Sequence, residues 1–117
     1  MKLFEIGDAG LGDVPGVAVR GEIDINAVDA LDTALDSRIR MTTGAFVVDL
    51  SETTFLDSSG LATLMRARGL LGREDRQLVI VCRPGPVRRI LELTGTAELF
   101  VIYSSREEAA AALVPAE

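Results

Sequence analysis

The spacing of apolar and polar residues along this chain follows two different patterns, one typical of strands and one typical of helices. Residues 17–20 alternate between apolar and other positions, as in a half-buried strand. Residues 45–50 and 77–82 are nearly continuous apolar runs rich in β-branched side chains, which is typical of central strands covered on both faces. Elsewhere the spacing changes to three and four, which indicates an amphipathic helix. The positions with that spacing are Val28, Leu31, Leu35 and Ile39.

The complete pattern predicts five strands and four helices in the order strand, strand, helix, strand, helix, strand, helix, strand, helix. The first strand is expected at Leu3 to Ile6, followed by a Gly-rich loop at residues 7–16. Regular alternation of this kind predicts an α/β fold with a mostly parallel mixed β-sheet, one antiparallel edge strand and about four helices. We expect one domain over residues 1–117, with residues 113–117 as a frayed tail.

Residues at the predicted helix ends suggest where each helix begins and stops. Asp24 or Asn26 is expected to cap the first helix, which Gly44 ends, and Gly60 is expected to open the second. Pro84 and Pro86 suit the opening of the third helix, and Gly95 suits its C-terminal cap. Residues 105–108 form a capping box before an Ala-rich fourth helix.

The composition limits the chemistry available to the chain. Its 117 residues include no His, one Cys (Cys82) and a single Lys, Lys2. Without His, no Ser-His-Asp or Cys-His catalytic site and no His-containing zinc site can form. No Gly-Lys-Ser/Thr string occurs to hold a nucleotide phosphate. We therefore predict no catalytic residue, no metal site and no cofactor, and we expect Cys82 to be a buried thiol.

The net charge of −6 is unfavourable for binding to nucleic acid or to anionic lipid, since both are negatively charged. The longest strictly apolar run, residues 109–114, is far shorter than the roughly 20 residues of a membrane-spanning helix. Acidic residues begin at Glu5, too early for a secretory signal. We expect a cytoplasmic protein with neither a nucleic-acid nor a membrane partner.

The most informative segment is Asp57-Ser58-Ser59-Gly60, which follows a predicted strand end and precedes a helix. Functional groups of open α/β sheets gather at such loops. From these residues alone, plain N-capping is the simpler interpretation, because Ser and Asp are preferred caps. A phosphorylated hydroxyl at this position is the alternative, since helix N-termini favour phosphate.

This segment resembles the signature of STAS domains, specifically the anti-sigma factor antagonists of bacteria. The resemblance is carried by residues 48–51 (Val-Asp-Leu-Ser) together with residues 55–61 (Phe-Leu-Asp-Ser-Ser-Gly-Leu). Residues 21–24 look like the Gly-Glu-Leu-Asp segment of that family, and residues 87–95 look like its third helix. The resemblance covers essentially the whole chain and implies a single STAS-like domain.

The resemblance implies a partner-switching protein of a transcriptional stress response. Such an antagonist, when unphosphorylated, binds an anti-sigma factor that is also a serine kinase, and thereby frees a sigma factor. The kinase, with its own bound ATP, phosphorylates the serine that corresponds to Ser58, and a separate serine phosphatase resets the protein. Asp57 corresponds to its neighbour in the kinase contact, Asp24 to the partner-binding loop, Ser59 to the second hydroxyl and Gly60 to the glycine that keeps the helix entry open to the partner.

A phosphate on Ser58 has few basic neighbours in the sequence. The next one along the chain is Arg66, two turns into the following helix, although Arg20 could approach through the fold. We therefore expect phosphorylation to disrupt an interface by desolvation and charge repulsion, without reorganising the domain. Arg66, Arg68 and Arg73 are either part of a docking surface or a solvated helix face. The sequence leaves open whether Ser58 or Ser59 is the acceptor.

Three other functions share some of these sequence features. A receiver domain has the same size and element order, but it needs a Lys near the end of its last strand, and the only Lys here is Lys2. A STAS domain also occurs as a scaffold in stress-sensing complexes and as a subunit of lipid transporters, and both of these roles stay open. A small-ligand-binding module finds no support in the Gly-rich loop, because that loop lacks a strand-to-helix context.

Overall fold

Strands of one mixed sheet form the centre of the computed structural model, which describes residues 4–114. The sheet order is β1-β2-β3-β5-β6, with β4 also beside β2. β1 is antiparallel to β2, and the other pairings are parallel. The strands are β1 (Phe4–Asp8), β2 (Gly16–Ile23), β3 (Phe46–Asp49), β4 (Thr53–Leu56), β5 (Leu78–Val81) and β6 (Val101–Tyr103). The helices are α1 (Val28–Arg40), α2 (Ser58–Gly72), α3 (Pro86–Leu93) and α4 (Arg106–Leu113), with a 3₁₀ turn at Thr96–Leu99.

The two apolar runs are confirmed as the central strands β3 and β5, all of whose residues are buried. Alternate residues enter different cores, because successive side chains of a strand point to opposite faces. Phe46 and Val48 pack in the larger core with residues of α1, α2 and α3. Val47 packs in a smaller core with Ala109 of α4. Cover on both faces explains why these runs lack a polar alternation.

The strand β4 is not among the five strands that the sequence predicts. β3 and β4 lie on successive stretches of β2, at Gly16–Ala18 and at Gly21–Ile23, with an irregularity between Gly21 and Glu22. Thr53 is buried, and its hydroxyl donates to the carbonyl of Val19 at 2.7 Å. A four-residue strand of mixed polarity depends on this partner for its structure, so its own pattern carries little signal.

Two predicted helix starts are corrected by the structure. Neither Asp24 nor Asn26 caps α1, which follows Ala27 without a side-chain cap. Instead, an oxygen of Asp24 accepts the N–H of Asn26 at 2.9 Å and closes a turn before the helix. α2 begins at Ser58, two residues earlier than the expected Gly60.

Gly44 does not end α1, which stops at Arg40 with Met41 as its C-cap. The remaining end signals are confirmed, and Pro86 is the first residue of α3. Gly95 follows α3 in the left-handed region, at φ 77°. The hydroxyl of Ser105 accepts the N–H of Glu108 at 3.1 Å, and the Glu108 carboxylate accepts the N–H of Ser104 at 3.0 Å. The first bond is that of the predicted capping box, whereas in the second Glu108 accepts the N–H of the residue before the cap and not that of the cap itself.

The chain ends agree only partly with expectation. The first strand was expected from Leu3, which lies outside the described residues, and β1 continues beyond the expected Ile6 to Asp8. The frayed tail was expected from residue 113, yet Leu113 ends α4 and packs with Val114 against the smaller core. Residues 115–117 lie outside the description. Within residues 4–114, no helix has the length and apolar character that crossing a membrane requires.

A single arginine joins three parts of the fold at the carboxyl edge of the sheet. Arg106, the first residue of α4, pairs with the carboxylate of Asp49 at 3.1 Å. It also donates to the carbonyls of Ala9 at 3.1 Å and Gly10 at 2.9 Å, in the loop after β1. The side chain of Asp49 is only 8% exposed, so Arg106 is its main charge compensation.

We expect Arg106→Met to lower the free energy of unfolding by about 1–3 kcal/mol, because it removes the ion pair of a buried carboxylate and leaves two carbonyls without their donor. Arg40→Met is the matched control, since Arg40 pairs with Asp36 on an exposed helix surface. That variant should lose no more than about 0.5 kcal/mol. Urea denaturation measures both values. Equal losses in the two variants would contradict a stabilising role for Arg106.

Candidate functional site

The pairing of β4 with β2 brings two of the sequence-predicted site segments together. Ile23 is the strand partner of Leu56, and the N–H of Asp57 donates to the carbonyl of Ile23 at 3.2 Å. Asp24 follows Ile23, and Asp57 follows Leu56. Both carboxylates therefore lie where parallel strands end, which is the edge at which open α/β sheets carry their functional groups.

Asp57 is the N-cap of α2. One oxygen of its carboxylate, Oδ1, accepts the N–H of Ser59 at 3.0 Å, the N–H of Gly60 at 3.1 Å and the hydroxyl of Ser59 at 2.5 Å. The Ser59 hydroxyl is the main cause that holds the pKa of Asp57 below its usual value; burial opposes it, and the two N–H groups reinforce it. Asp57 is therefore ionised at neutral pH, and it already occupies the first free N–H groups of the helix.

The two serines of the motif have different environments. Ser58 is the first residue of α2, it is exposed, and its hydroxyl makes no hydrogen bond with any residue in the range 4–114. Ser59 is partly buried, and its hydroxyl donates to Asp57. Its carbonyl also accepts the hydroxyl of Thr63 at 3.2 Å. Of the two, Ser58 has the hydroxyl that is free to react.

Gly60 is buried against the strands that carry the site. A Cβ at this position would lie 2.5 Å from Cδ1 of Leu56 and 2.8 Å from Cγ2 of Ile23. Both distances are shorter than side chains allow, so only glycine permits this approach. The sequence interpretation assigned the open space at Gly60 to a partner. In this structure Ile23 and Leu56 of the same chain use it, and Gly60 thereby fixes where α2 begins.

The turn at Asp57 repeats a local structure found after other strands of the sheet. In each case an aspartate oxygen accepts the N–H of the residue two positions later, which is the hydrogen bond of an Asx turn. In two of the turns the acceptor belongs to an Asp-x-Ser sequence, a signal that sequence analysis could have used. The pairs are Asp8 with Gly10 at 3.3 Å, Asp24 with Asn26 at 2.9 Å, Asp49 with Ser51 at 2.8 Å and Asp57 with Ser59.

Arginines that the sequence suggested as neighbours of the site are engaged elsewhere. Arg20 pairs with Glu52 at 3.1 Å. Arg66 pairs with Asp32 of α1, and Arg68 donates to a backbone carbonyl of the 3₁₀ turn at 2.7 Å. These contacts hold both arginines of α2 within the fold. Arg73 is exposed at the end of the helix.

Two exposed apolar residues near the site were not singled out from the sequence. Ile25 is 69% exposed in the turn after β2, and Phe55 is 44% exposed in β4. Ile25 stands between two polar residues, which is a signal that the sequence offered, whereas Phe55 precedes the apolar Leu56 and offers none. Across residues 4–114, no group of three or more Asp, Glu and Cys side chains is placed to hold a metal ion.

Comparison with known proteins agrees with this architecture. A family model of the STAS domain matches residues 9–109. A STAS-domain containing protein of Pseudomonas aeruginosa is 34% identical over 87 residues, which are 74% of this chain and 84% of that protein. An anti-sigma-B factor antagonist of Staphylococcus aureus is 28% identical over 91 residues, which are 78% of this chain and 84% of that protein.

Among solved structures, a crystal structure of an anti-sigma factor antagonist from Mycobacterium paratuberculosis has a TM-score of 0.86 and 31% sequence identity. The match covers 96% of this chain and 95% of the other. The predicted fold class is thereby confirmed: a mostly parallel mixed sheet, antiparallel at β1 and β2, with four helices among the described residues.

We expect Gly60→Ala to lower the free energy of unfolding by about 1–3 kcal/mol, since the new methyl group overpacks against Ile23 and Leu56. Gly69→Ala is the matched control in the same helix, because a Cβ there meets nothing within 4 Å. That variant should gain about 0.5–1 kcal/mol, the usual advantage of Ala over Gly in a helix. Chemical denaturation measures both; a stabilising Gly60→Ala would refute the packing role.

Asp57→Ala should lose about 1 kcal/mol of stability at pH 7, because a helix loses its cap. A carboxyl group with a lowered pKa stabilises the fold above its unfolded pKa of about 3.9, and this stabilisation is lost as the pH falls through the folded pKa. Denaturation curves of the wild type and the variant should therefore converge below about pH 4. Ser59→Ala should raise the pKa of Asp57, as seen by NMR titration. A stability difference independent of pH would contradict the role of the ionised cap.

Proposed function

The chain belongs to the STAS domain family, and we propose that it is an anti-sigma factor antagonist controlled by phosphorylation of Ser58. In its unphosphorylated form it binds an anti-sigma factor that is also a serine kinase, and a sigma factor is released. The kinase transfers phosphate from its own ATP to Ser58, the complex dissociates, and a serine phosphatase restores the first state. The observation that carries this proposal is the free, exposed hydroxyl of Ser58 at the start of α2.

The surroundings of Ser58 support a substrate serine. The side chain lies beside Asp57, and the strand pairing puts the Asp24 loop next to it, so a partner that contacts one segment reaches the other. Ser59 holds Asp57 and the helix start in place, while Gly60 keeps α2 close to β2 and β4. We assign Asp24, Asp57, Ser58, Ser59 and Gly60 to this site, with Ser58 as the acceptor.

No free basic side chain or helix N–H group of this site is available to pair with a phosphate on Ser58. The phosphate adds a charge of about −1.5 to −2 at pH 7, next to the ionised Asp57. The helix N–H groups of Ser59 and Gly60 already donate to Asp57, and Arg20 and Arg66 are paired elsewhere. In the free protein, water solvates the phosphate.

Formation of a complex changes that balance. An interface that covers Ser58 must desolvate the phosphate, which costs several kcal/mol for a buried ion. An exposed ion pair at the edge of an interface returns only about 0.2–1 kcal/mol. Desolvation therefore dominates, and phosphorylation ends the contact without a change of fold.

In this proposal the chain and the kinase supply different groups to the phosphoryl transfer. The chain supplies a hydroxyl and a binding surface, whereas ATP and the groups that catalyse the transfer belong to the kinase. We infer that the protein itself is not an enzyme, and that it works in the bacterial cytoplasm, where sigma factors act.

The direct test is phosphorylation of the wild type, Ser58→Ala and Ser59→Ala by the purified anti-sigma factor kinases of the source organism, with ATP. Mass spectrometry should show one added phosphate on the wild type and on Ser59→Ala, and none on Ser58→Ala. Circular dichroism checks that both variants fold. Phosphate retained on Ser58→Ala and lost from Ser59→Ala would move the acceptor to Ser59.

Binding gives the second half of this test. Ser58→Ala should bind the kinase as tightly as the wild type, whereas Ser58→Asp should bind at least about tenfold more weakly, a loss of about 1.4 kcal/mol. Isothermal titration calorimetry measures both. If the wild type neither binds nor accepts phosphate from any of these kinases, the antagonist function is refuted.

A further inference from the structure

The two exposed apolar residues near Ser58 occupy related positions in the sheet. Phe55 precedes Leu56 in β4, and Ile25 follows Ile23 by two residues. Ile23 and Leu56 are strand partners, and Ser58 lies two residues beyond Leu56. Two residues span at most about 7 Å and neighbouring strands lie about 4.8 Å apart, so Ile25 and Phe55 belong to the paired segments that lead to Ser58 at the same edge of the sheet.

Other exposed large apolar residues among residues 4–114 do not share this placement. Met41 follows the end of α1, Leu93 ends α3, and Leu99 ends the 3₁₀ turn. Single apolar residues of this kind are normal on protein surfaces. Two of them beside one reactive hydroxyl form a small apolar patch, which marks interaction surfaces when polar residues surround it.

The residues around the patch are acidic. The segments 21–26 and 51–58 contain Glu22, Asp24, Glu52 and Asp57, and no Lys or Arg. Glu52 is paired with Arg20, and the other three carboxylates have no ion pair with any residue in the range 4–114. A complementary surface would therefore present an apolar pocket bordered by basic side chains.

We propose that Ile25 and Phe55 are the apolar anchors through which this chain binds its anti-sigma factor kinase, on a kinase face that combines an apolar pocket with Lys or Arg at its border. This inference rests on the proposed function of Ser58 and adds the surface that recognises the partner. Anchors that fill apolar pockets exclude water from the centre of an interface. Ser58 lies at that centre, so its phosphate is excluded together with the water.

The proposal is tested with Ile25→Ser and Phe55→Ser, using the same purified kinase as for Ser58. Each variant, in its unphosphorylated form, should bind the kinase about tenfold or more weakly than the wild type, as is typical when an interface anchor is removed. The KM for phosphorylation should rise by a similar factor while kcat changes by less than about twofold, since Ser58 itself is intact. Mass spectrometry should still place the phosphate on Ser58.

Matched variants separate recognition from folding. Leu93→Ser removes an equally large apolar side chain that is 79% exposed at the end of α3, and its affinity should stay within about twofold of the wild type. Ile25→Val and Phe55→Leu keep the apolar character and should retain most of the affinity. If the Ser variants unfold, Ile25→Ala and Phe55→Ala take their place: a loss of affinity that exceeds the loss in Leu93→Ser supports the proposal, and equal affinities refute it.

The remaining outcomes distinguish this inference from the proposed function. Wild-type affinity in both Ser variants, with Ser58 still phosphorylated, would overturn the anchors and leave the antagonist function standing. Failure of the wild type to be phosphorylated would refute the antagonist function itself. A wild-type dimer in sedimentation that becomes a monomer in Phe55→Ser would assign the patch to a second copy of this chain and overturn the proposal.

Discussion

The pairing of a short strand, β4, with the end of β2 determines where every residue of the candidate site lies. The two strands are parallel, so the turns after Ile23 and Leu56 leave the sheet side by side. Gly60 then lets α2 approach both residues at a distance that no other side chain permits. A buried contact that involves no reactive group thus decides that Ser58 is the outermost residue of the motif.

The motif also shows how the same local turn serves different purposes. Asp49-Leu50-Ser51 and Asp57-Ser58-Ser59 form equivalent turns, in which the first residue accepts hydrogen bonds from the third. The side chain of the middle residue takes no part in these hydrogen bonds. Leu50 is buried in the core, whereas Ser58 is exposed. Asp57 and Ser59 satisfy one another, so the free hydroxyl of Ser58 is available without any loss to the fold.

This arrangement is consistent with a protein whose chemistry is carried out by its partners. The chain has no His and a single Lys, so it lacks the imidazole that most often acts as a general base, and no Lys stands in a phosphate-binding string. What it offers instead is a reactive hydroxyl, an acidic border and two apolar side chains at one edge of a well-packed sheet. A small local change of charge is enough to alter such a surface, because the cost of desolvating a phosphate exceeds what an exposed ion pair returns.

The sequence by itself determined the features that depend on near neighbours in the chain. Periodicity predicts the apolar runs of β3 and β5 and the apolar stripe of α1, and local hydrogen bonding predicts the cap at Ser105. The motif around Ser58 was recognisable from its sequence alone. Tertiary structure decided the rest. β4 exists because β2 pairs with it, Gly60 matters because Ile23 and Leu56 press against it, and Arg20 and Arg66 are unavailable because distant carboxylates hold them. Each of these depends on contacts between residues far apart in sequence, whose partners no local pattern identifies.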